Sequence, residues 1–212
     1  MKKEIILIGG FCETIELCQD CGFTIIGIVD VTDSDANAYN LPYLGDDEAF
    51  LARSQLLKQY PLVICPDAPK TRQRIAERYR VEGFSFAAVI SPDAKISRTA
   101  VLGTGAVIQA GCLISSHVRA GDFLRMNHYA SIFHETSVQD AVTIAPCASV
   151  LGRVELGERC YIGAHAVVLP NRKIAQDALV GAGAVVTKDV VARVTVVGIP
   201  AKEMNPRSVS DE

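Results

Sequence analysis

An apolar residue at every sixth position is the feature of this sequence that most limits its fold. The pattern runs unbroken from Ile90 to Ala192, and sixteen of its eighteen positions carry a large side chain. An α-helix repeats about every 3.6 residues and a half-buried strand about every two, so neither gives a period of six. The positions are Ile90, Ile96, Leu102, Ile108, Ile114, Ala120, Met126, Ile132, Val138, Ile144, Val150, Leu156, Ile162, Val168, Ile174, Val180, Val186 and Ala192.

A second set of positions, four residues after each apolar one, is mostly small or β-branched. Leu124 and Arg172 are the exceptions, and we expect loops or bulges there. This two-part hexad predicts a β-helix, in which each six-residue rung turns one side chain inward and stacked rungs share a continuous core. The set is Ala94, Ala100, Ala106, Cys112, Val118, Ala130, Thr136, Val142, Ala148, Val154, Cys160, Ala166, Ala178, Ala184 and Val190.

The first 88 residues have a different rhythm, in which predicted strands and helices alternate. The strands are EIILIG, TIIGIVD and LVIC, with helices predicted near residues 12–22, 46–60 and 71–83 and a polar loop over residues 31–42. Such alternation indicates parallel strands joined by crossover helices, and so a small Rossmann-like α/β domain. Gly9 and Gly10 end the first strand without a full GxGxxG motif. Asp30 ends the second, where such folds often bind a ribose hydroxyl.

Composition excludes several classes of function. The net charge of −3 and the pI near 5.8 give no sign of nucleic-acid binding. No basic run predicts membrane binding, and the apolar run before Gly9 is too short for a signal peptide or a membrane span. Seven cysteines without a second CxxC pair indicate free thiols in a reducing cytoplasm. We therefore expect a cytoplasmic protein with no nucleic-acid or membrane partner.

The hexapeptide repeat resembles the left-handed β-helix acyltransferases, which have three hexads in each 18-residue coil and assemble as trimers. The predicted N-terminal α/β domain and the ending VVGIPAKEM resemble those of the family branch that acetylates sugars for bacterial surface glycans. That branch includes UDP-bacillosamine-pathway N-acetyltransferases and sialic acid O-acetyltransferases. The resemblance implies a Rossmann-like domain at residues 1–88, a left-handed parallel β-helix at 89–197 and a tail at 198–212. It also implies a homotrimer that uses acetyl-CoA.

The stretch RMNHYASIFHETSV, residues 125–138, contains the predicted catalytic residues. Acetyl transfer from a thioester needs a base for the attacking amine or hydroxyl, and imidazole titrates near neutral pH. The family places this base in a His-Glu or His-Asp pair, with an asparagine seven residues earlier. The resemblance thus implies His134 as general base, Glu135 as its orienting acid, and Asn127 as a polar contact for the substrate or the tetrahedral oxygen.

The acetyl-CoA contacts of the family fall on small residues along the coils and on a cation near the end. By position these match Gly152, Ala164, Ala182 and Lys202, where Lys202 would meet a phosphate. Tight packing between rungs is the alternative explanation for each small residue. The second histidine of the family is replaced here by Thr143, which puts one contact to the cofactor in question.

The family binds its nucleotide sugar in the front domain, and Gly9, Gly10, Asp30 and Arg72 match that use. Phe11-Cys12 follows the glycines where the family has a histidine, and CPDAPKTR replaces its Gly-Asn. The acceptor stays open among a UDP-4-amino sugar, another nucleotide amino sugar and sialic acid. The pattern of Asn127, His134 and Glu135 resembles that of the amino-sugar enzymes and so favours N-acetylation. The alternatives are O-acetylation and a non-catalytic trimeric scaffold that binds sugars.

A metal site is also conceivable, because some β-helix trimers hold zinc with three histidines, as γ-class carbonic anhydrases do. His117, His128 and His134 would be the candidates. We predict that they lie on three different faces, and the paired histidines of the zinc enzymes are missing. We therefore expect no metal and interpret His165 as structural.

Overall fold

The computed structural model describes residues 3–204, so residues 1–2 and the 205–212 part of the predicted tail lie outside it. The N-terminal domain is a parallel three-stranded sheet in the order β2-β1-β3, flanked by helices. Its elements are β1 (Lys3–Ile8), α1 (Cys12–Asp20), β2 (Phe23–Val29), α2 (Ser34–Ala38), α3 (Asp47–Ala52), a 3₁₀ turn (Ser54–Leu56), β3 (Leu62–Ile64) and α4 (Pro69–Val81).

The helices differ from the predicted ones in length. The polar loop contains the short helix α2, and the long helix expected over residues 46–60 is only α3 followed by the 3₁₀ turn. Helix α3 begins after Asp46, whose Oδ1 accepts a hydrogen bond from Ala49 N at 2.9 Å. Helix α4 starts earlier than predicted, because Pro69 fits the first helical position, where no N–H is needed.

The remaining described residues form a left-handed parallel β-helix whose first strand begins at Val89, except that the last strand pairs antiparallel with its neighbour. Two-residue strands repeat every six residues, and successive coils pair 18 residues apart, as Met126 does with Ile144. The strands are β4 (Val89–Ile90), β5 (Lys95–Ile96), β6 (Val101–Leu102), β7 (Val107–Ile108), β8 (Leu113–Ile114), β9 (Arg119–Ala120), β10 (Arg125–Met126), β11 (Ser131–Ile132), β12 (Ser137–Val138), β13 (Thr143–Ile144), β14 (Ser149–Val150), β15 (Glu155–Leu156), β16 (Tyr161–Ile162), β17 (Val167–Val168), β18 (Lys173–Ile174), β19 (Leu179–Val180), β20 (Val185–Val186), β21 (Thr195–Val197) and β22 (Lys202–Glu203).

These strands form three sheets, which are the three faces of the β-helix. The seam face packs against the N-terminal domain, with Val89 and Val107 in one core cluster with Ile5 and Leu7. The two remaining sheets are named the middle face and the outer face. The seam face holds β4, β7, β10, β13, β16, β19, β21 and β22; the middle face β5, β8, β11, β14, β17 and β20; and the outer face β6, β9, β12, β15 and β18.

The corners between faces explain how the hexad closes. A left-handed residue recurs every six positions from Gly105 to Gly183, and eleven of these fourteen residues carry side chains, among them Glu135 with φ 59°. The predicted inward residues fill the core; Ile132, Ile144 and Ile162, for example, are fully buried. Leu124 also lies in the core rather than at a bulge, since it is 0% exposed.

The repeat ends earlier than predicted. Val180 pairs with Val196, an offset of 16 residues where the preceding coils have 18. The last coil is therefore two residues shorter, so that Ala192 is exposed and Val196 occupies the inward position. The assignment of Ala192 to the core was wrong, because a shortened loop between β20 and β21 shifts the register.

Candidate active site

His134 and Glu135 are the two turn residues at the corner between β11 and β12. We name this the middle–outer corner; it comprises residues 116–117, 134–135, 152–153 and 170–171 on successive coils. His134 Nδ1 lies 3.0 Å from Glu135 Oε2, and both side chains are about half exposed. Because a carboxylate only accepts hydrogen bonds, Nδ1 is the donor and the Nε2 lone pair remains for a substrate proton.

Gly152 lies directly against the His134 ring on the next coil. A Cβ atom added at Gly152 would come within 2.5 Å of Cε1 and 3.0 Å of Cδ2, closer than real carbon contacts allow. Because Gly152 has no side chain, the imidazole of His134 can occupy this space, and Gly152 thereby helps to set the position of the ring.

Arg153 and Asn171 extend this polar cluster to two further coils. Arg153 Nη1 lies 3.5 Å from Glu135 Oε2, and Arg153 Nε donates to Asn171 Oδ1 at 2.8 Å. The hydrogen bond with His134, aided by Arg153, holds the pKa of the Glu135 carboxyl below its ordinary value. Glu135 is therefore ionised at neutral pH, as an acid that orients a basic imidazole must be.

Asn127 lies on another part of the coil, at the end of β10 on the seam face. Its Nδ2 donates to Asp67 Oδ1 at 3.1 Å, and Asp67 follows β3 of the N-terminal domain. His134 lies seven residues further along, beyond the strand β11 of the middle face. Within one chain the structure does not bring Asn127 and His134 together on one face.

Gly9, Gly10 and Asp30 do meet at the carboxyl edge of the N-terminal sheet. Gly10 N donates to Asp30 Oδ2 at 2.5 Å, and Val31 N donates to Asp30 Oδ1 at 2.6 Å. A Cβ atom on Gly10 would come within 2.5 Å of Asp35 Cβ, so only glycine fits beside α2. Gly9 and Asp30 line a cavity of about 400 Å³ that opens at this edge, the usual ligand position in such sheets.

Arg72 does not line that cavity. Its side chain is 1% exposed and lies between α4 and the β-helix. The guanidinium makes six hydrogen bonds within the protein, which leaves no donor for a substrate; the acceptors are the carbonyl oxygens of Phe123, Pro66, Asp67, Ala141 and Val142 and Oγ1 of Thr143. The structure thus gives Arg72 a structural place rather than the predicted contact with substrate.

Arg74 and Arg78 are the α4 cations that line the cavity, and the sequence analysis did not select them. They are four residues apart and so lie on one face of the helix, whereas Arg72 is turned away from that face. Arg78 is paired with Asp47 at 3.3 Å and Glu48 at 2.6 Å. Helical spacing would have placed Arg74 and Arg78 on one face and Arg72 on another, but it does not show which of these faces lines the cavity.

Thr143, at the position where the resemblance predicted a histidine, is fully buried at the same seam. Its Oγ1 accepts from Arg72 Nη2 at 2.9 Å and donates to the Asp67 carbonyl oxygen at 2.8 Å. In this chain the position therefore connects the two domains.

Ala164 and Ala182 share the corner between the seam and middle faces, the opposite edge of the middle face from Gly152. Lys202 is exposed on β22 and lines a second cavity of about 380 Å³. Lys188 lines the same cavity and was not selected from the sequence. The four predicted cofactor residues are thus spread over two corners and the strand β22.

The other histidines are not gathered into a metal site. His117 shares the middle–outer corner with His134, and His128 lies at the corner between seam and middle faces, so the expectation of three different faces was wrong. Over residues 3–204, no three His, Cys, Asp or Glu side chains are arranged to hold a metal ion. No helix in the same range is long and apolar enough to cross a membrane.

The chain is similar over nearly its whole length to an enzyme of known activity. GDP-perosamine N-acetyltransferase from Escherichia coli O157:H7 is 32% identical over 208 residues, which span 92% of this chain and 90% of the relative. A comparison with models of protein families found no match.

Solved structures give the same result. PerB from Caulobacter crescentus, in complex with CoA and GDP-perosamine, is 32% identical with a TM-score of 0.87, over 95% of this chain and 97% of that one. Two further structures, of perosamine N-acetyltransferase from the same organism, carry one histidine replaced by alanine or asparagine. The acetyltransferase domain of PglB from Neisseria gonorrhoeae, in complex with acetyl coenzyme A, has 25% identity and a TM-score of 0.87, with coverage of 96% and 100%. The chain therefore belongs to the hexapeptide-repeat, left-handed β-helix family of sugar acetyltransferases.

Proposed function

We propose that this protein transfers the acetyl group of acetyl-CoA to the amino group of a GDP-linked amino sugar, as a step in bacterial surface-glycan synthesis. The observation that carries the proposal is the exposed His134–Glu135 pair, with Nε2 free to accept a proton. The similarity to GDP-perosamine N-acetyltransferase supports the nucleotide and the sugar. The cavity at Gly9 and Asp30, with Arg74 and Arg78 beside it, supplies a place for the nucleotide.

His134 acts as general base in this mechanism. The sugar amine attacks the thioester carbonyl carbon, a new N–C bond forms, and the proton of the attacking nitrogen passes to His134 Nε2. The C–S bond then breaks, and the thiolate of coenzyme A leaves with a proton returned by the imidazolium. Glu135 holds the tautomer and stabilises the positive charge that forms on the ring.

The site is proposed to form between subunits of a homotrimer. Asn127, Ala164 and Ala182 lie at or beside one corner of the middle face, whereas His134 and Gly152 lie at the other. A ring of three copies apposes the middle–outer corner of one subunit to the seam side of the next, in a closed head-to-tail contact. Acetyl-CoA would run in this groove, with the cationic end at Lys188 and Lys202 meeting its phosphates.

We also place the enzyme in the cytoplasm. All seven cysteines are free, and four of them are buried in the two cores. Reduced thiols of this kind suit a reducing compartment, which is also where acetyl-CoA would be its co-substrate.

The decisive experiment measures coenzyme A release and acetylated product, by mass spectrometry, with acetyl-CoA and a panel of acceptors. The panel contains GDP-perosamine, UDP- and dTDP-linked amino sugars, and sialic acid. Turnover with GDP-perosamine and an N-acetyl product supports the proposal. Turnover only with another nucleotide contradicts the GDP assignment, and turnover only with sialic acid moves the chemistry to a hydroxyl.

Subunit complementation tests the shared site. His134→Ala and Asn127→Ala, each much less active than wild type on its own, are unfolded, mixed and refolded together. If each site takes His134 from one copy and Asn127 from the next, random mixing restores about a quarter of the wild-type activity in closed trimers. If no activity returns although mixed trimers have formed, both residues belong to sites within one chain.

A further inference from the structure

Asp67 lies at the centre of the interdomain seam, where it contacts groups from both domains. Its Oδ1 is 3.1 Å from Asn127 Nδ2 and 3.1 Å from Arg125 Nε. Its main-chain oxygen accepts from Arg72 Nη1 at 2.7 Å and from Thr143 Oγ1 at 2.8 Å. Both the backbone and one carboxylate oxygen of Asp67 are therefore fixed by the protein.

Charge explains why a carboxylate is needed at this position. Arg72 and Arg125 are each 1% exposed, and burial, together with their mutual repulsion, lowers the pKa of Arg72 to about 9. Asp67 supplies the negative charge beside them, and Arg125 is held further by Cys65 O at 2.9 Å and Thr14 Oγ1 at 3.0 Å. Two buried cations thus hold the carboxylate in place.

Asp67 is also open on one side. Its side chain is 38% exposed, in contrast to the buried arginines. Tyr161, two coils beyond Arg125 on the seam face, has its pKa raised by burial and by the charge of Asp67. Asp67, Asn127 and Tyr161 are each partly exposed, so this part of the seam is accessible from outside.

The orientation of the Asn127 amide follows from these contacts. An ionised carboxylate can only accept, so the group facing Asp67 Oδ1 must be the amide nitrogen. The carbonyl oxygen of Asn127 then points away from Asp67, as an acceptor. We propose that Asp67 is a positioning residue for acetyl transfer: it fixes Asn127 so that its carbonyl oxygen accepts a hydrogen bond from the amino group of the substrate.

This inference rests on the proposed function and makes it more specific. An acceptor at Asn127 orients an N–H of the amine and so directs the nitrogen lone pair to the thioester. A donor at the same place would instead serve the tetrahedral oxygen, the other role that the sequence left open. Asp67 decides between the two roles, although Asp67 itself need not touch the substrate.

A double-mutant cycle tests the proposal. Asp67→Asn, Asn127→Ala and the double variant are compared with wild type, and with Glu77→Gln as an exposed carboxyl-to-amide control on α4. We expect Asp67→Asn to lower kcat by at least tenfold, with the KM for acetyl-CoA unchanged. An amide at position 67 can donate as well as accept a hydrogen bond, so the side-chain amide of Asn127 is no longer held in one orientation. In the Asn127→Ala background, Asp67→Asn should have less than a twofold further effect. Independent effects that multiply in the double variant would overturn the proposal.

Asn127→Asp provides a second test that keeps Asp67 and its contacts with the arginines, should Asp67→Asn fail to fold. The two carboxyl groups, at positions 67 and 127, would be close enough to share one proton. The other titratable or charged groups that face Asp67 are Arg125, Arg72 and Tyr161. The introduced carboxyl, when protonated, would mimic the amide, so the activity of Asn127→Asp relative to wild type should rise at least threefold as the pH falls from 8 to 6. A ratio that is independent of pH contradicts the proposal. The acceptor is whichever nucleotide amino sugar the wild-type enzyme acetylates, so failure with GDP-perosamine leaves this test intact.

Discussion

The middle–outer corner and the interdomain seam both gather charged side chains, but the two regions differ in their access to water. At the corner, the side chains of His134 and Glu135 are about half exposed; they contact one another, Gly152 lies against the imidazole, and Arg153 lies beside Glu135. At the seam, Arg72 and Arg125 are 1% exposed and are held by protein groups. The comparison teaches that exposed polar groups remain free to act on a ligand, whereas buried ones hold the two domains together.

Replacing His134 should have the largest effect on activity. His134→Ala removes the general base, so kcat should fall by about two to four orders of magnitude. The side chain is half exposed, so the thermal unfolding midpoint should stay within about 2 °C of wild type, as for an ordinary surface substitution. Steady-state kinetics with a circular dichroism melt checks both. A large drop in the midpoint would mean that the corner is structural as well.

Replacing Arg72 should have the opposite signature. Arg72→Met deletes six hydrogen bonds and leaves their acceptors buried, which should cost about 3–5 kcal/mol of the free energy of unfolding. Equilibrium denaturation with urea measures this loss. Arg74→Met, an exposed change on the same helix, is the control and should change the stability by less than about 0.5 kcal/mol. If Arg72→Met and Arg74→Met lowered the free energy of unfolding equally, the buried seam would contribute no more to stability than the exposed surface.

Gly152 sharpens the comparison, because at the corner an apolar change should affect chemistry and not stability. In Gly152→Ala the new methyl group meets the imidazole of His134 and displaces Nε2. A displacement of about 1 Å can reduce kcat by about a hundredfold. Gly163→Ala, at a buried approach between coils, should instead lower the unfolding midpoint. Unchanged kcat in Gly152→Ala would show that the ring can move without loss.

Glu135 should give the smallest effect of the four. Glu135→Gln keeps a hydrogen-bond partner but removes the charge next to the imidazolium, so we expect kcat to fall by about tenfold. Because the pKa of Glu135 is lowered, its carboxylate stays charged as the pH falls towards that lowered value. Removing this charge disfavours the imidazolium, so the acid limb of the pH–rate profile should move to lower pH. A shift to higher pH would contradict the assigned pairing.

The β-helix was predictable in detail because its information is local and repeated. Each hexad, such as that of Ile132 and Thr136, repeats the same pair of an apolar and a small or β-branched residue. Single exceptions like Leu124 therefore do not hide the pattern. The sequence failed where the repeat changed length: nothing in the run from Val186 to Val196 marks the 16-residue coil. The confirmed parts are the fold class, the sugar acetyltransferase family and the acetyl-CoA chemistry of its members.

Residue roles were harder to predict than the fold. The spacing of His134, Glu135 and Asn127 matched a family pattern, and adjacency along the chain secures the His134–Glu135 contact. The separation of Arg72 from Arg74 and Arg78 was missed, because all three are basic residues of one predicted helix and the sequence does not show which side the β-helix covers.

The sequence by itself determined the period of six, the inward residues as far as Val186, the alternating N-terminal domain and the His134–Glu135 pair. Only the tertiary structure decided that Asp67 faces Asn127 across 60 residues of chain and that Arg72 meets Thr143 across 71. The physical reason is the range of the interactions involved. Repeats, turns and neighbouring side chains are set by short-range sterics and burial, whereas a seam between domains exists only once both have folded and excluded water between them.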